Sequence, residues 1–213
     1  GIMESIWKKN LKLDEHNSHI DFNIYDAIVV GGGLTGLLQA HNLQRKGKAI
    51  VLVEKESIGS GAIGDSMAMI TGQHGLIYAN MLKKHGLKYA RLYANANQKA
   101  IDEYERIIKS ENIECHFERC PSYIYSINDV DAMKREAEAC RAIGLDAHFT
   151  KDTELPFKVA GAVRLENQAK FNPMEFINAI SKGLDIYENV RVRNVDGGYM
   201  NTNCGIVGAK NII

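Results

Sequence analysis

The stretch Asp26-Ala-Ile-Val-Val-Gly-Gly-Gly-Leu-Thr-Gly-Leu-Leu38, followed by Ala49-Ile-Val-Leu-Val-Glu54, reads as strand, glycine loop, helix, strand and terminal acid. Residues 25–30 are a short apolar run of the kind buried on both faces of a parallel sheet. Residues 34–46 carry Leu34, Leu37, Leu38 and His41 at helical spacing, with Gly47 placed to end the helix. Gly31, Gly33 and Gly36 fill the three glycine positions of G-x-G-x-x-G. The first permits the tight turn out of the strand, the second lets a pyrophosphate approach the backbone, and the third lets the helix lie close on the sheet. The helix would aim its free N–H groups and positive dipole end at phosphate. Glu54 closes the second strand, where a carboxylate accepts hydrogen bonds from both hydroxyls of an adenosine ribose; an arginine there would suit a 2'-phosphate. A glycine turn that serves close packing alone is the bland alternative, and the strand, helix and acid around it argue for a dinucleotide with an unphosphorylated ribose.

Composition narrows the class. The 213 residues are 45% hydrophobic and 24% charged, ordinary for a globular protein with a real core. Lys plus Arg equal Asp plus Glu at 26 each, and no basic stripe stands out, so neither nucleic acid nor an anionic membrane surface is expected as a partner. The apolar stretches are strand-length and the N-terminal residues lack the hydrophobic core of a leader, which predicts a cytoplasmic protein. Gly1 and Ile2 precede Met3 and are set aside as residues added ahead of the natural start. Cys115, Cys120, Cys140 and Cys204 form no C-x-x-C pair and have no zinc-like histidine spacing, so buried thiols are expected rather than a metal or disulfide framework.

After Glu54 the chain does not go straight into another helix. Ser57-Ile-Gly-Ser-Gly-Ala-Ile-Gly-Asp-Ser66 is small, polar and glycine-rich, and reads as backbone wrapped along a long cofactor, with Ser66 as a helix N-cap beside phosphate. A plain surface loop is the other reading. Residues 67–76 follow, with Thr71, Gln73 and His74 among apolar neighbours. Residues 88–108 have the spacing of one amphipathic helix whose tyrosines belong to the core. Residues 113–118 and 122–127 alternate as two strands separated by Pro121, and residues 131–143 form a helix closed by Gly144. Asn172-Pro-Met-Glu175 gives an N-cap, Pro at N1 and Glu at N3 for a helix ending near Gly183. Residues 184–213 read as short strands and hairpins around Gly197-Gly198 and Cys204-Gly205, ending in an apolar strand at 209–213.

This arrangement resembles the flavoprotein family of D-amino-acid oxidase, glycine oxidase, sarcosine oxidase and glycerol-3-phosphate dehydrogenase. The likeness runs from about residue 26 to 213. It is carried by the glycine loop, by Val53-Glu54 with the Gly-Ser-Gly stretch, by Gly161-Ala-Val-Arg164 leading to Gln168-Ala-Lys-Phe-Asn-Pro173, and by Glu188-Asn-Val-Arg-Val192. The fold it implies is α/β: a Rossmann-like FAD-binding domain with an inserted α+β substrate domain and a late β-hairpin meander, truncated at the C-terminus. The expected divisions are an N-terminal extension (1–23), the first part of the FAD domain (24–76), the inserted region (77–170) and an incomplete return to the FAD domain (171–213).

The resemblance implies FAD as cofactor. It gives Gly31, Gly33 and Gly36 to the pyrophosphate, Glu54 to the ribose, and Lys55 to the neighbourhood of the adenine. It also sets the backbone of Val192 at the adenine edge, Gly61 and Ser66 along the pyrophosphate and ribityl chain, and Met67 near the flavin ring. Family members often carry a basic residue in the segment 67–71, where this sequence offers Met67 and Met69. His74 is read as a loop residue in preference to a catalytic or flavin-linked one. The reaction implied is oxidation of the C–N bond of an amine or amino acid by hydride transfer to flavin N5. Dehydrogenation of a hydroxyl of the glycerol-phosphate type and a cofactor-binding fragment without turnover are the alternatives, and a plain NAD domain fits the later hairpins poorly. The sequence is expected to be the N-terminal piece of a longer enzyme, holding FAD poorly or not at all and inactive by itself. Its catalytic residues and oligomeric state are not legible in the sequence.

Overall fold

The computed structural model describes residues 8–10, 19–21, 25–60, 67–208 and 210–213. Two units emerge, Gly1–Asp65 with Met174–Ile213, and Ser66–Pro173.

In the first unit, a parallel sheet forms around two strands rich in β-branched residues, Ala27–Val30 and Ile50–Val53. Strands β1 (Lys8–Asn10), β3 (Ala27–Val30), β4 (Ile50–Val53) and β9 (Asp185–Glu188) take the order β1-β9-β4-β3, all parallel. Every residue of β3 and β4 except Val30 is buried, as strands covered on both faces require. Helix α1 (Leu34–Arg45) crosses from β3 to β4 and buries Leu37, Ala40 and His41. It ends where Gly47 adopts φ +80°, with the Lys48 N–H donating back to Leu43 O at 3.1 Å. On the free side of β3, Ile28 pairs in parallel with Ile212, and the Ile213 N–H donates to Ile28 O at 2.9 Å.

A second sheet holds β10 (Val192–Asp196), β11 (Tyr199–Thr202) and β12 (Gly205–Gly208) as an antiparallel meander, with β2 (His19–Asp21) parallel to β12. Gly197 and Gly198 both have positive φ, +53° and +87°, the requirement of a two-residue hairpin turn. Ile28, Val51, Val53, Val190, Met200 and Cys204 form an apolar cluster here.

The second unit is built on one long strand, β8 (Gly161–Phe171). Antiparallel β6 (Glu118–Ser126) runs along one edge; β5 (Ala68–Ile70) and β7 (Ala147–Thr150) share the other. Helices α2 (Ile77–Ser110) and α3 (Val130–Ile143) pack through small residues, Ala90 and Ala94 with Ala137 and Cys140, on Val163 and Leu165. Asp129 caps α3 by accepting the Ala132 N–H at 2.9 Å, and Gly144 closes it at φ +103°. Burial pushes the Cys140 thiol up to about 12, and all four cysteines are free. Among the described residues no helix is long and apolar enough to cross a membrane.

Several local expectations need correction. The helix expected at 88–108 extends back to Ile77, and its two segments meet at Gly86, whose φ of +78° breaks the helical path. The two strands expected around Pro121 are one: the register shifts between Cys120 and Ser122, so the residue without an N–H sits at the irregularity and costs no ladder bond. Residues 113–117 are not strand, and His116 at φ +55° ends any extended run there. β5, β7 and the full length of β8 were not anticipated, and the segment read as an extension contributes β1 and β2.

Candidate functional site

The glycine loop lies at the C-terminal ends of β3 and β4. The Gly31 N–H donates to Val53 O at 2.8 Å, and Gly31 has φ +105°, which an L side chain rarely adopts. A Cβ on Gly36 would stand 2.0 Å from the carbonyl oxygen of Gly31, so only glycine lets α1 approach its own entry loop. Gly33 differs: a Cβ there would meet nothing within 4 Å, because its α-carbon faces open, exposed space. Gly33, which has no side chain to cap the helix, is the N-cap of α1, and no acid lies in the first turn. A helix N-terminus with free N–H donors beside a shallow glycine cradle suits a phosphate group.

Glu54 is half-buried next to this cradle. One carboxylate oxygen accepts the Gly32 N–H at 2.5 Å and the other the Glu56 N–H at 2.9 Å. The carboxylate is thus oriented by backbone, and among the described residues no other donor to it is present, so lone pairs remain for hydroxyl donors. The return strand closes the site from the other side: Glu54 N–H donates to Tyr187 O and Val190 N–H to Glu54 O, both at 2.9 Å. Two residues on, Val192 begins β10, half-buried against the apolar cluster, with a register irregularity between it and Asn194. Elsewhere in the unit the Tyr25 hydroxyl donates to Asp185 at 2.5 Å; burial, reinforced by this contact, raises the phenol above its usual value.

Gly31, Gly33, Gly36 and Glu54 therefore come together, with Val192 tied to Glu54 through Val190. Lys55 is exposed and adjacent in sequence to Glu54. Gly61 and Ser66 lie outside the described residues. Met67 belongs to the second unit, where it is 45% exposed just ahead of β5. Thr71 enters a polar network: its hydroxyl donates to Gln168 Oε1 at 2.9 Å and lies 3.0 Å from Ser122 Oγ. His74 is exposed. Lys170 stands across the β5–β8 pairing from Met69, so a basic residue does reach that strand, from a position a linear reading of 67–71 cannot see.

Two residues of the Glu54 site escaped the sequence reading. Gly32 is buried, and a Cβ on it would meet Ile58 Cδ1 at 2.2 Å and Glu54 Oε2 at 3.0 Å. Ile58 is the lone apolar side chain in Lys55-Glu-Ser-Ile-Gly-Ser-Gly61 and is 6% exposed, the signal that would have found it.

Comparison with known proteins gives the family. A protein of Bacillus subtilis (strain 168), YhfW, named as a Rieske 2Fe-2S iron-sulfur protein, is 31% identical over 202 residues, 92% of this chain and 40% of its own length. The 4-methylaminobutanoate oxidase (formaldehyde-forming) of Paenarthrobacter nicotinovorans is 27% identical over 186 residues, 79% of this chain and 21% of its own length. The chain thus spans well under half of either relative. The crystal structure of glycine oxidase from Bacillus cereus ATCC 14579 superposes with a TM-score of 0.61 at 20% identity, covering 88% of this chain and 54% of that one, which establishes the shared fold. Residues 26–212 match the family described as DAO, FAD dependent oxidoreductase, and the chain belongs to that family.

Proposed function

We propose that the protein uses FAD to oxidise the C–N bond of an amine or amino acid. The observation that carries the cofactor half of this reading is Glu54, held by two backbone amides beside a helix N-terminus whose N-cap is glycine and a glycine cradle. On this reading Gly31, Gly33 and Gly36 admit the pyrophosphate and the N–H groups of α1 face it. Glu54 accepts from the ribose hydroxyls, and Lys55 and the Val192 backbone border the adenine. Gly61, Ser66 and Met67 follow the rest of the cofactor. When bound, FAD supplies a two-electron acceptor; the chain supplies position and electrostatics. The sequence relative that oxidises 4-methylaminobutanoate supports a nitrogen substrate over a hydroxyl one. No catalytic side chain is assigned.

Two measurements test this. Glu54→Arg removes charge-assisted bonds worth about 1.5–3 kcal/mol each, so FAD affinity should fall by at least about tenfold in a fluorescence titration. The full gene product, mixed anaerobically with N-methylated amines, amino acids and glycerol 3-phosphate, should lose its flavin absorbance band with a nitrogen substrate. Loss with glycerol 3-phosphate alone would replace this reading by the hydroxyl one.

A second reading concerns where the electrons go. The name of the Bacillus subtilis relative favours an iron–sulfur carrier over dioxygen. Turnover in air without stoichiometric hydrogen peroxide supports the carrier; stoichiometric peroxide removes it.

A further inference from the structure

We propose that Gly32 and Ile58 form a positioning pair that sets the Glu54 carboxylate before any cofactor arrives. The proposal rests on the assignment of Glu54 to the ribose. The three glycines of the dinucleotide motif are Gly31, Gly33 and Gly36; Gly32 occupies a variable position, yet it is the buried one of the three consecutive glycines. Its N–H is the donor to Glu54 Oε2. Its missing side chain matters as much, because a Cβ would stand 2.2 Å from Ile58 Cδ1, 3.0 Å from Glu54 Oε2 and 3.2 Å from Glu54 Cβ.

Ile58, 6% exposed, packs its Cδ1 against the same bare α-carbon, 2.2 Å from where a Cβ on Gly32 would stand. It stands in a turn in which the Ser60 N–H donates to Ser57 O at 3.1 Å and the Ser60 hydroxyl to Glu56 at 3.1 Å. Gly59, at φ +77°, lies against Met174, a Cβ there falling 3.0 Å from the Met174 sulfur. The turn is fixed from both sides, so Ile58 cannot swing clear at low cost. Glu54 therefore accepts from a backbone donor whose α-carbon has no room for a side chain, with the apolar Ile58 packed beside that donor. A carboxylate whose rotamer is already fixed loses less freedom when it accepts two hydroxyls, and its hydrogen bond is stronger out of water. Gly32 and Ile58 act through Glu54 and touch no reacting atom.

The test separates position from folding. In Gly32→Ala, FAD affinity should fall about tenfold, in keeping with the cost of forcing a methyl group into a packed site. The Glu56 amide resonance in a 1H–15N spectrum of the cofactor-free chain should move toward its position in Glu54→Gln. Ile58→Val deletes the Cδ1 methyl that the new Cβ strikes, so the double variant Gly32→Ala/Ile58→Val should return the Glu56 resonance most of the way and restore affinity to within about threefold. Should Gly32→Ala fail to fold, Ile58→Ala carries the test: it uncovers the donor, and the Gly32 amide should exchange with solvent faster than in the native protein. Native FAD affinity with an unmoved Glu56 resonance in Gly32→Ala, no recovery in the double variant, or unchanged exchange in Ile58→Ala overturns the proposal. If the full-length protein binds no FAD while the resonances behave as stated, the cofactor reading falls and the positioning pair stands.

Discussion

The two units solve the same problem, placing polar groups at fixed points in an apolar interior, by opposite means. In the parallel-sheet unit the work is done by backbone: Gly31 N–H to Val53 O, and Gly32 and Glu56 N–H to Glu54. In the antiparallel unit it is done by side chains distant in sequence. Gln168 Oε1 accepts the Gly72 N–H at 2.8 Å, Ser122 donates to Gln73 Oε1 at 2.6 Å, and Gln73 Nε2 donates to Val163 O at 3.1 Å. Glu136, fully buried on α3, accepts the Tyr78 and Ala79 N–H groups at 2.8 and 2.9 Å and so caps α2 from a neighbouring helix. The first kind of site depends on glycines that no other residue can replace; the second depends on pairs.

The widest separation between the units should come from glycine substitution. In Gly36→Ala the new methyl meets backbone 2.0 Å away, and backbone yields less readily than a side-chain tip. We expect a loss of about 3 kcal/mol in urea unfolding, with FAD affinity too weak to titrate. Gly33→Ala is the control. Its φ of −75° suits alanine and its Cβ meets nothing, so stability should stay within about 0.5 kcal/mol. FAD affinity should nonetheless drop about tenfold, because the cradle is filled. Equal affinity losses without any stability difference would mean that Gly36 serves the ligand and not the helix.

A side-chain pair should break differently. Glu136→Ala strands one buried and one part-buried N–H donor at the start of α2 and should cost about 2–3 kcal/mol, with Glu136→Gln costing less because one acceptor survives. The Gly32 and Glu56 amide resonances should not move in either variant. If they do, the backbone site is not self-contained and the contrast between the units fails.

The same contrast explains what the sequence revealed. Gly31, Gly36, α1, α3 with its Gly144 stop, and the Gly197-Gly198 hairpin were legible because each follows from a local requirement that few residues meet. Gln168, Ser122 and Glu136 carry no local signature. Their partners lie 96, 49 and 58 residues away, so only the fold reveals that they meet. Pro121 misled because proline argues against a strand unless a register shift absorbs it, and that shift is set by β8. Gly86 hid the true start of α2 for the converse reason, since a helical glycine and a helix-breaking one look alike in sequence.

The smallest expected effect lies on the outside of the second unit, where charge replaces burial. Glu105 sits between Lys109, 2.8 Å away, and Arg119, 2.6 Å away, while Arg119 also reaches Asp102 at 2.7 Å. The hydrogen bond from Lys109, and then that from Arg119, hold the Glu105 carboxylate below its ordinary range. The native state therefore binds this proton less readily than the unfolded chain. The stability it adds is complete above the unfolded carboxylate value of about 4.3 and disappears as pH falls through the lower native value. Because these groups face solvent, the gain should be under about 1 kcal/mol and should shrink in high salt. Glu105→Gln should thus lower the urea midpoint slightly at neutral pH, and the gap to the native protein should narrow on acidification below the ordinary carboxylate value. A gap as large as that of Glu136→Ala, or one that widens in acid, would show that this exposed network is as structural as the buried one and would erase the distinction between them.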